Sequence, residues 1–529
     1  MEQKNVIENA KACLGIEFGS TNIKAVLIGE NYEVLASGSH RWASSFRNGY
    51  FTYSMDKVRS GLQAAYRELK ENVREKYGLV LTRVGCIGIS AMMHGYLPFN
   101  SEDELLVPFR TWQNTTTSRA AGELSELFRF NIPERWSVAH VYQAVLDEEP
   151  HVPEIARINT LAGYVHYLLT GQFVLGIGDA SGMFPVDSEG LCFDQKMLEL
   201  IDGKLKEKNI SWKLENVLPK ILTAGQNAGY LTKEGALLID PAGDLEEGIL
   251  FCPPEGDAGT GMAATNAIRE NTGNVSAGTS IFSMVVLDKP LKGYYKEIDV
   301  VATPVGKPVA MVHCNNCTND MNAWAGLLGE FLAASNGEDH ADAGKIYSTI
   351  YAKAEEGDKD CGGTVVCNYI AGEPVTGVTE GHPMVVRDPD KPFRLANLCR
   401  AILYSSVVSL KIGMDVLSQE DIRIDELIGH GGLFKNGNTA AEILAGAIGT
   451  DVSVMKTAEV GGPYGMALLA DYCLECVSGG EMKAQPLDEF LSGRVFKDVK
   501  KHTSVPDAEI SEGFEQYTLR FRNLVKMIR

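Results

Sequence analysis

Cys13-Leu14-Gly15-Ile16-Glu17-Phe18-Gly19-Ser20-Thr21-Asn22-Ile23-Lys24-Ala25-Val26-Leu27-Ile28 is the stretch on which the fold is decided. It reads as two apolar, strand-forming runs broken by a small, hydroxyl-bearing turn. The design recurs in Gly273-Asn274-Val275-Ser276-Ala277-Gly278-Thr279-Ser280-Ile281-Phe282-Ser283-Met284-Val285-Val286. Glycine lets the backbone bend tightly and approach a ligand, while unpaired N–H groups and Ser/Thr hydroxyls can surround a phosphate. One such hairpin is weak evidence. Two, one in each half of the chain, predict a duplicated fold closing on a polyphosphate from both sides, with a nucleotide as the leading ligand.

Working outward from the first hairpin, Val34 to Ala36 supplies a third strand. Val58, Leu62, Ala65, Leu69 and Val73 then fall at helical spacing behind a Ser54 N-cap. Val84 to Ile89 reads as a buried strand ending at Ser90-Ala91-Met92-Met93-His94-Gly95. The second half repeats the scheme, with strands around Val275, Ile281 to Val286 and Val309 to Val312. A long helix is predicted over Leu395 to Leu417, where Ser405, Ser409 and Gly413 form a small-residue ridge suited to close packing. Ile424 to Ile428 gives a strand, Gly429-His430-Gly431-Gly432 a turn, Ala440 to Ile448 a helix and Val452 to Met455 a strand. Gly461-Gly462-Pro463 opens the last core helix, with Pro463 suited to its first turn. The polar stretch at Ala267 to Thr272 marks a boundary between domains 1–268 and 269–529, and the alternation of strands and helices in both argues for α/β architecture.

The chain of 529 residues has room for two large domains with substantial cores. Its net charge of −20 opposes nonspecific binding to nucleic acid or anionic membranes. It does not oppose ATP, whose phosphates local amides, a lysine or Mg²⁺ neutralise. The N-terminus is polar and has no apolar signal core, and no uninterrupted apolar stretch approaches the ~20 residues that span a bilayer. The cytoplasm is the expected location. Eleven cysteines, an odd number spread along the chain, make no secreted disulfide framework. Cys314/Cys317 and Cys473/Cys476 are Cys-x-x-Cys pairs without a partner cluster at zinc spacing, and are expected to be free thiols.

The motifs, in their order, resemble the FGGY carbohydrate kinases, within the larger sugar kinase, heat-shock chaperone and actin superfamily. The resemblance covers almost the whole chain. It rests on Gly15-Ile16-Glu17-Phe18-Gly19-Ser20-Thr21-Asn22-Ile23-Lys24, Gly88-Ile89-Ser90-Ala91-Met92-Met93-His94-Gly95, Leu168-Leu169-Thr170-Gly171 and Gly256-Asp257-Ala258. Ser276-Ala277-Gly278-Thr279-Ser280, Gly429-His430-Gly431-Gly432 and Gly465-Met466-Ala467-Leu468-Leu469-Ala470 complete it. It implies two ribonuclease H-like domains flanking a deep cleft, with ATP, Mg²⁺ and a sugar as ligands. A ketopentose such as D-xylulose, taken to its 5-phosphate, is the implied substrate. Another ketose, a polyol, or a catalytically weak ATP-binding regulatory protein on the same fold are the alternatives. A small-molecule sugar is the expected partner, neither nucleic acid nor membrane is, and a homodimer is left open.

Residue by residue, the resemblance places the catalytic base at Asp257. A sugar hydroxyl is a poor nucleophile at neutral pH, and a positioned carboxylate accepts its proton as the phosphoryl group transfers. On local sequence alone, an Asx-turn in a Gly-rich loop is the competing reading. Gly19, Ser20 and Thr21 are expected on the distal phosphates, with Gly278, Thr279 and Ser280 opposite and Lys24 nearby. Glu17 stands where the family has a metal-associated Asp, keeping the charge but adding a methylene. Met93 and His94 resemble the sugar-contacting pair of the family's xylulokinases, and Asp179 lies in another segment implied at the sugar. Asn315, Asn316 and Asp320 are further polar candidates. Trp112 is an expected apolar sugar wall, but Asn114 and Thr116 depart from the family's Trp-x-Asp-x-Arg pattern. The adenosine end is expected at Gly431, Gly432, Asn436, Gly461 and Gly462.

Overall fold

The computed structural model describes residues 2–455, 461–479 and 485–528. The chain divides into two compact units. The first comprises Met1–Ile268, Val300–Val309 and Val460–Asp498; the second comprises Arg269–Asp299, Ala310–Glu459 and Val499–Arg529. The expected second domain, 269–529, is therefore not one unit. Its helix Gly462–Ser478 buries Met466, Ala467, Leu468, Leu469 and Ala470 and packs on the strands Cys13–Phe18 and Cys86–Ala91. That return of the chain is a tertiary event that hydrophobic period alone does not reveal.

In the first unit the sheet runs in the order Leu250–Phe251, Cys86–Ala91, Cys13–Phe18, Asn22–Ile28, Val34–Arg41. The strand Cys13–Phe18 pairs antiparallel with Asn22–Ile28 and parallel with Cys86–Ala91. Leu14, Ile16 and Phe18 enter the core with Ile23, Ala25 and Leu27 of the neighbouring strand. The helix Met55–Tyr77 covers this sheet, starting where Ser54 accepts the Lys57 N–H at 3.3 Å and stopping at Gly78, whose φ is 67°. The strand predicted to end at Ile89 continues to Ala91 because its parallel partner continues to Phe18.

The second unit repeats this topology. Its sheet runs Pro308–Cys314, Ile281–Val286, Thr272–Ala277, Glu426–His430, Asp451–Met455, Lys501–Ser504. The strand Thr272–Ala277 takes the place of Cys13–Phe18, antiparallel to Ile281–Val286 and parallel to Glu426–His430. Each Gly/Ser/Thr turn thus leaves the end of a central strand. The strand expected at Ile424 to Ile428 sits two residues later, because Glu426 pairs with Thr272 and His430 with Ser276, so the turn begins only at Gly431. The helix Leu395–Gln419 is long and apolar enough to cross a membrane, but most of it is buried inside this unit. The helix Ala508–Val525, with Ile510, Phe514, Tyr517 and Phe521 buried, was not predicted.

Candidate active site

The two strand pairings just described set a row of polar side chains across the first sheet. Lys24 is paired with Glu17, Glu17 with Ser90, and Ser90 with Glu255 of the short strand Glu255–Gly256. Asp257 follows at once as the first residue of the helix Asp257–Ala264. Its Oδ1 accepts the Met93 N–H at 3.2 Å. A carboxylate in the first helical turn is favoured by the helix dipole, yet surrounding protein pushes its pKa up to about 6. The residue nevertheless remains exposed to solvent.

Three further carboxyls surround it, each with a higher pKa. Glu17 is pushed up to about 7, first by burial and then by the Asp257 charge, with Lys24 opposing. Asp179 is pushed up to about 7 by burial and again by Asp257, against the Thr160 hydrogen bond. Glu255 rises to about 8 through burial and the Asp179 charge. At neutral pH Asp257 is therefore the member of the group most fully ionised, which suits it to accept a proton. The mutual repulsion of Glu17 and Asp257 is the electrostatic setting that a divalent cation relieves.

Of the expected sugar residues, Met93 and Asp179 interact with Asp257. Asp179 Oδ2 accepts the Thr160 hydroxyl at 2.7 Å, while Oδ1 is buried and finds no partner among the described residues. Glu255 fixes that side chain's helix by accepting the Gly178 and Asp179 N–H groups at 3.2 and 2.9 Å. The Met93 side chain lies over Gly256 and Gly182. His94, at φ 69°, bonds through Nδ1 to the Gly182 carbonyl at 3.0 Å, and its ring stacks on Trp136 at 6.1 Å. A carbonyl only accepts, so Nδ1 carries the proton.

Trp112 is half-buried and packs against the first unit's core. Asn114 has a structural task. Its Oδ1 accepts the Phe51 N–H at 2.8 Å, and its Nδ2 donates to the carbonyls of Phe51 and Thr111 at 3.0 and 2.9 Å. Thr116 is exposed.

The first turn is held from behind. Trp42 Nε1 donates to the Gly19 carbonyl at 2.7 Å, the Tyr53 hydroxyl to that of Ser20 at 2.6 Å, and the Trp42 N–H to that of Thr21 at 3.1 Å. In the second unit, the Gly278 carbonyl accepts from the Thr318 N–H and hydroxyl at 3.1 and 2.7 Å, and the Thr279 carbonyl from the Cys317 N–H at 3.1 Å. Ser280 closes that turn by accepting the Gly278 N–H at 2.9 Å.

Of the expected adenosine residues, Gly431, Gly432 and Asn436 lie in the second unit. Gly431 has φ 100° and lies so close to Ala277, just before the second turn, that a Cβ would overlap its carbonyl. Asn436 hydrogen-bonds the Tyr351 hydroxyl. Gly461 and Gly462 instead pack within the first unit. Gly461, at φ 75°, caps the helix Gly462–Ser478, and a Cβ on Gly462 would overlap the Glu17 carboxylate. The chain therefore puts this pair beside the expected metal carboxylate.

Several participants escaped the sequence reading: Trp42, Tyr53, Thr160, Glu255, and Thr260, whose hydroxyl lies 3.2 Å from that of Ser90. Sheet register and contacts across long sequence separations select them, and neither is readable from local pattern. Asn315 and Asn316 turn out to tie their loop to 371–373, with Asn316 also donating to buried Glu373. Asp320 accepts the Trp324 indole N–H at 3.0 Å. All eleven cysteines are free. Burial pushes Cys317 up to about 12 and raises Cys314 well above the ordinary thiol value, and among the described residues no group of three His, Cys, Asp or Glu is arranged for a metal.

The family model for the N-terminal domain of the FGGY family of carbohydrate kinases matches residues 12–242, and that for its C-terminal domain matches residues 273–474. A xylulose kinase of Haemophilus influenzae is 22% identical over 79% of this chain and 82% of its own. Among solved structures, ligand-bound xylulose kinase from Lactobacillus acidophilus superposes with a TM-score of 0.79 at 16% identity, over 98% of both chains. Gluconate kinase from the same organism gives 0.78 at 16% identity, over 97% of this chain and 98% of its own. At these identities the structures establish the shared two-domain α/β fold.

Proposed function

We propose, because this chain belongs to the FGGY family of carbohydrate kinases, that it transfers the terminal phosphoryl group of ATP to a hydroxyl of a ketopentose such as D-xylulose. The observation that carries the reading is Asp257: solvent-open, held by the Met93 amide, and the most acidic of four clustered carboxyls. Asp257 accepts the hydroxyl proton as the oxygen attacks the phosphoryl group. Asp179 receives another sugar hydroxyl at its unpartnered Oδ1, while Met93 and Trp112 give apolar contact to the carbon face. The turn at 19–21 presents N–H groups and hydroxyls to the phosphates.

Glu17 fits a Mg²⁺ ion, which needs only one or two carboxylates when substrate phosphates complete its shell. Bound there, it supplies charge neutralisation to the phosphates. Lys24, paired across from Glu17, adds a further positive charge. The xylulose kinase relatives support the ketopentose assignment. A sugar acid is the second reading: the gluconate kinase neighbour shares the fold equally well, and here Asn114 is occupied with the backbone and Thr116 is exposed. Sugar-dependent ADP release across ketopentoses, ketohexoses, polyols and gluconate decides between them. Highest kcat/KM on D-xylulose supports the first reading, and highest on gluconate replaces it with the second. Tight ATP binding without turnover on any of them would leave a regulatory ATP-binding protein.

A further inference from the structure

We propose that Trp42 and Tyr53 are positioning residues for the nucleotide, capturing the carbonyls of the 19–21 turn so that its N–H groups face the phosphates. The inference rests on the kinase reading above for its ligand, but on different residues for its geometry. In a planar trans peptide, the carbonyl of one residue and the N–H of the next point in opposite directions. Fixing the Gly19 carbonyl on the Trp42 indole aims the Ser20 N–H away from Trp42, and fixing the Ser20 carbonyl on the Tyr53 hydroxyl does the same for Thr21. Among the described residues neither N–H meets an acceptor. Two adjacent amides that lack an acceptor form the kind of concavity that an anion fills.

The clamp is rigid. Trp42 and Tyr53 are 7% and 2% exposed, and their rings lie 4.2 Å apart at an interplanar angle of 31°. Phe18, the last residue of the strand before the turn, packs edge-on against Trp42 at 6.1 Å. The donors arrive from two separate segments, one just after Val34–Arg41 and one between Tyr50–Thr52 and the Ser54 cap. A simple hairpin connection has no need of them. A glycine-containing turn left alone could instead rotate a carbonyl oxygen toward the ligand, and that oxygen would repel a phosphate. The second unit reaches the same result with unrelated residues, since Thr318 and the Cys317 N–H occupy the carbonyls of Gly278 and Thr279.

The test uses the full chain and the variants Tyr53→Phe and Trp42→Phe, each of which keeps a ring and deletes one donor. ATP affinity is measured by calorimetry without sugar, alongside the KM values for ATP and for the sugar. Loss of one hydrogen bond predicts ATP binding weakened about five-fold in each variant, with the sugar KM and the melting temperature close to wild type. Unchanged ATP affinity in both variants overturns the proposal. So does an equal rise of both KM values, which marks a merely structural role. Because the calorimetry needs no turnover, a wild type that binds ATP but phosphorylates no sugar sinks the substrate assignment while the clamp is still decided by the two variants.

Discussion

Met93 donates its backbone N–H to Oδ1 of Asp257 at 3.2 Å, tying the proposed base to the loop that carries Met93 and His94, the pair proposed to meet the sugar. The bond comes from the main chain, so it survives any change of the Met93 side chain. Asp257 itself is exposed to solvent. The bond fixes the proposed base relative to that loop, a precondition for holding a hydroxyl in line with a phosphoryl group.

The pKa of Asp257 predicts the acid limb of the rate profile. A general base works deprotonated, and surrounding protein raises this one to about 6. The sugar kcat/KM is expected to be level near neutrality and to fall about tenfold per pH unit below about pH 6. Initial rates from pH 5 to 8 at fixed Mg²⁺ test this, and a profile flat down to pH 5 would remove Asp257 from the role.

Stability should follow the opposite slope. Burial raises Asp179 and Glu255 to about 7 and 8 in the folded state, against roughly 4 when unfolded. The folded state therefore holds these protons more tightly, and the stability this gives is complete below about pH 4 and lost as pH rises through 7 and 8. Thermal melts are expected to show a lower midpoint at pH 8 than at pH 5. Asp179→Asn should remove part of that slope, and a slope unchanged in the variant would contradict the burial argument.

Much of this arrangement was legible in the sequence. The two Gly/Ser/Thr turns, the helix behind Ser54 and the strand before Met93 announce themselves through apolar period and caps, because the forces that form them are local. Asp257 was recognised through its motif, and the structure supplies the bonds that fix it. What the sequence withheld was decided at long range. Gly462 reads as one half of a nucleotide-binding turn, but the chain returns to lay it on Glu17. Glu255 sits two residues from Asp257, and only strand register reveals that its carboxylate holds the helix bearing Asp179. The helix at Ala508–Val525 also went unread, although its apolar residues recur at helical spacing after an Asp507 cap.

Gly462 and Gly278 should respond differently to alanine. At Gly462 a Cβ would overlap the Glu17 carboxylate, whereas at Gly278 it meets nothing within 4 Å. Gly462→Ala is expected to destabilise the fold by about 1–3 kcal/mol and to raise the Mg²⁺ concentration needed for half-maximal rate. Gly278→Ala should leave stability within about 0.5 kcal/mol. Denaturant melts with Mg²⁺ titrations check both, and equal tolerance of the two would show that Glu17 moves freely.

Restoring the family's residues at 114 and 116 should not improve the enzyme. Asn114 donates to two carbonyls as well as accepting an N–H. Asn114→Asp would face a carboxylate with the oxygens of Phe51 and Thr111. A loss of about 1–3 kcal/mol is expected, and Asn114→Asp with Thr116→Arg should show no gain in sugar kcat/KM over wild type. A stable and faster double variant would contradict this account of the loop.

The most direct measurement is phosphoryl transfer by Asp257→Asn with D-xylulose, the variant's ATP affinity being determined in parallel. The substitution keeps the shape of the side chain, and its Oδ1 still accepts the Met93 amide, but it removes the proton acceptor. The expected result is a fall in turnover of about a thousandfold with ATP binding retained. Turnover within tenfold of wild type would contradict the assignment of Asp257 as the base.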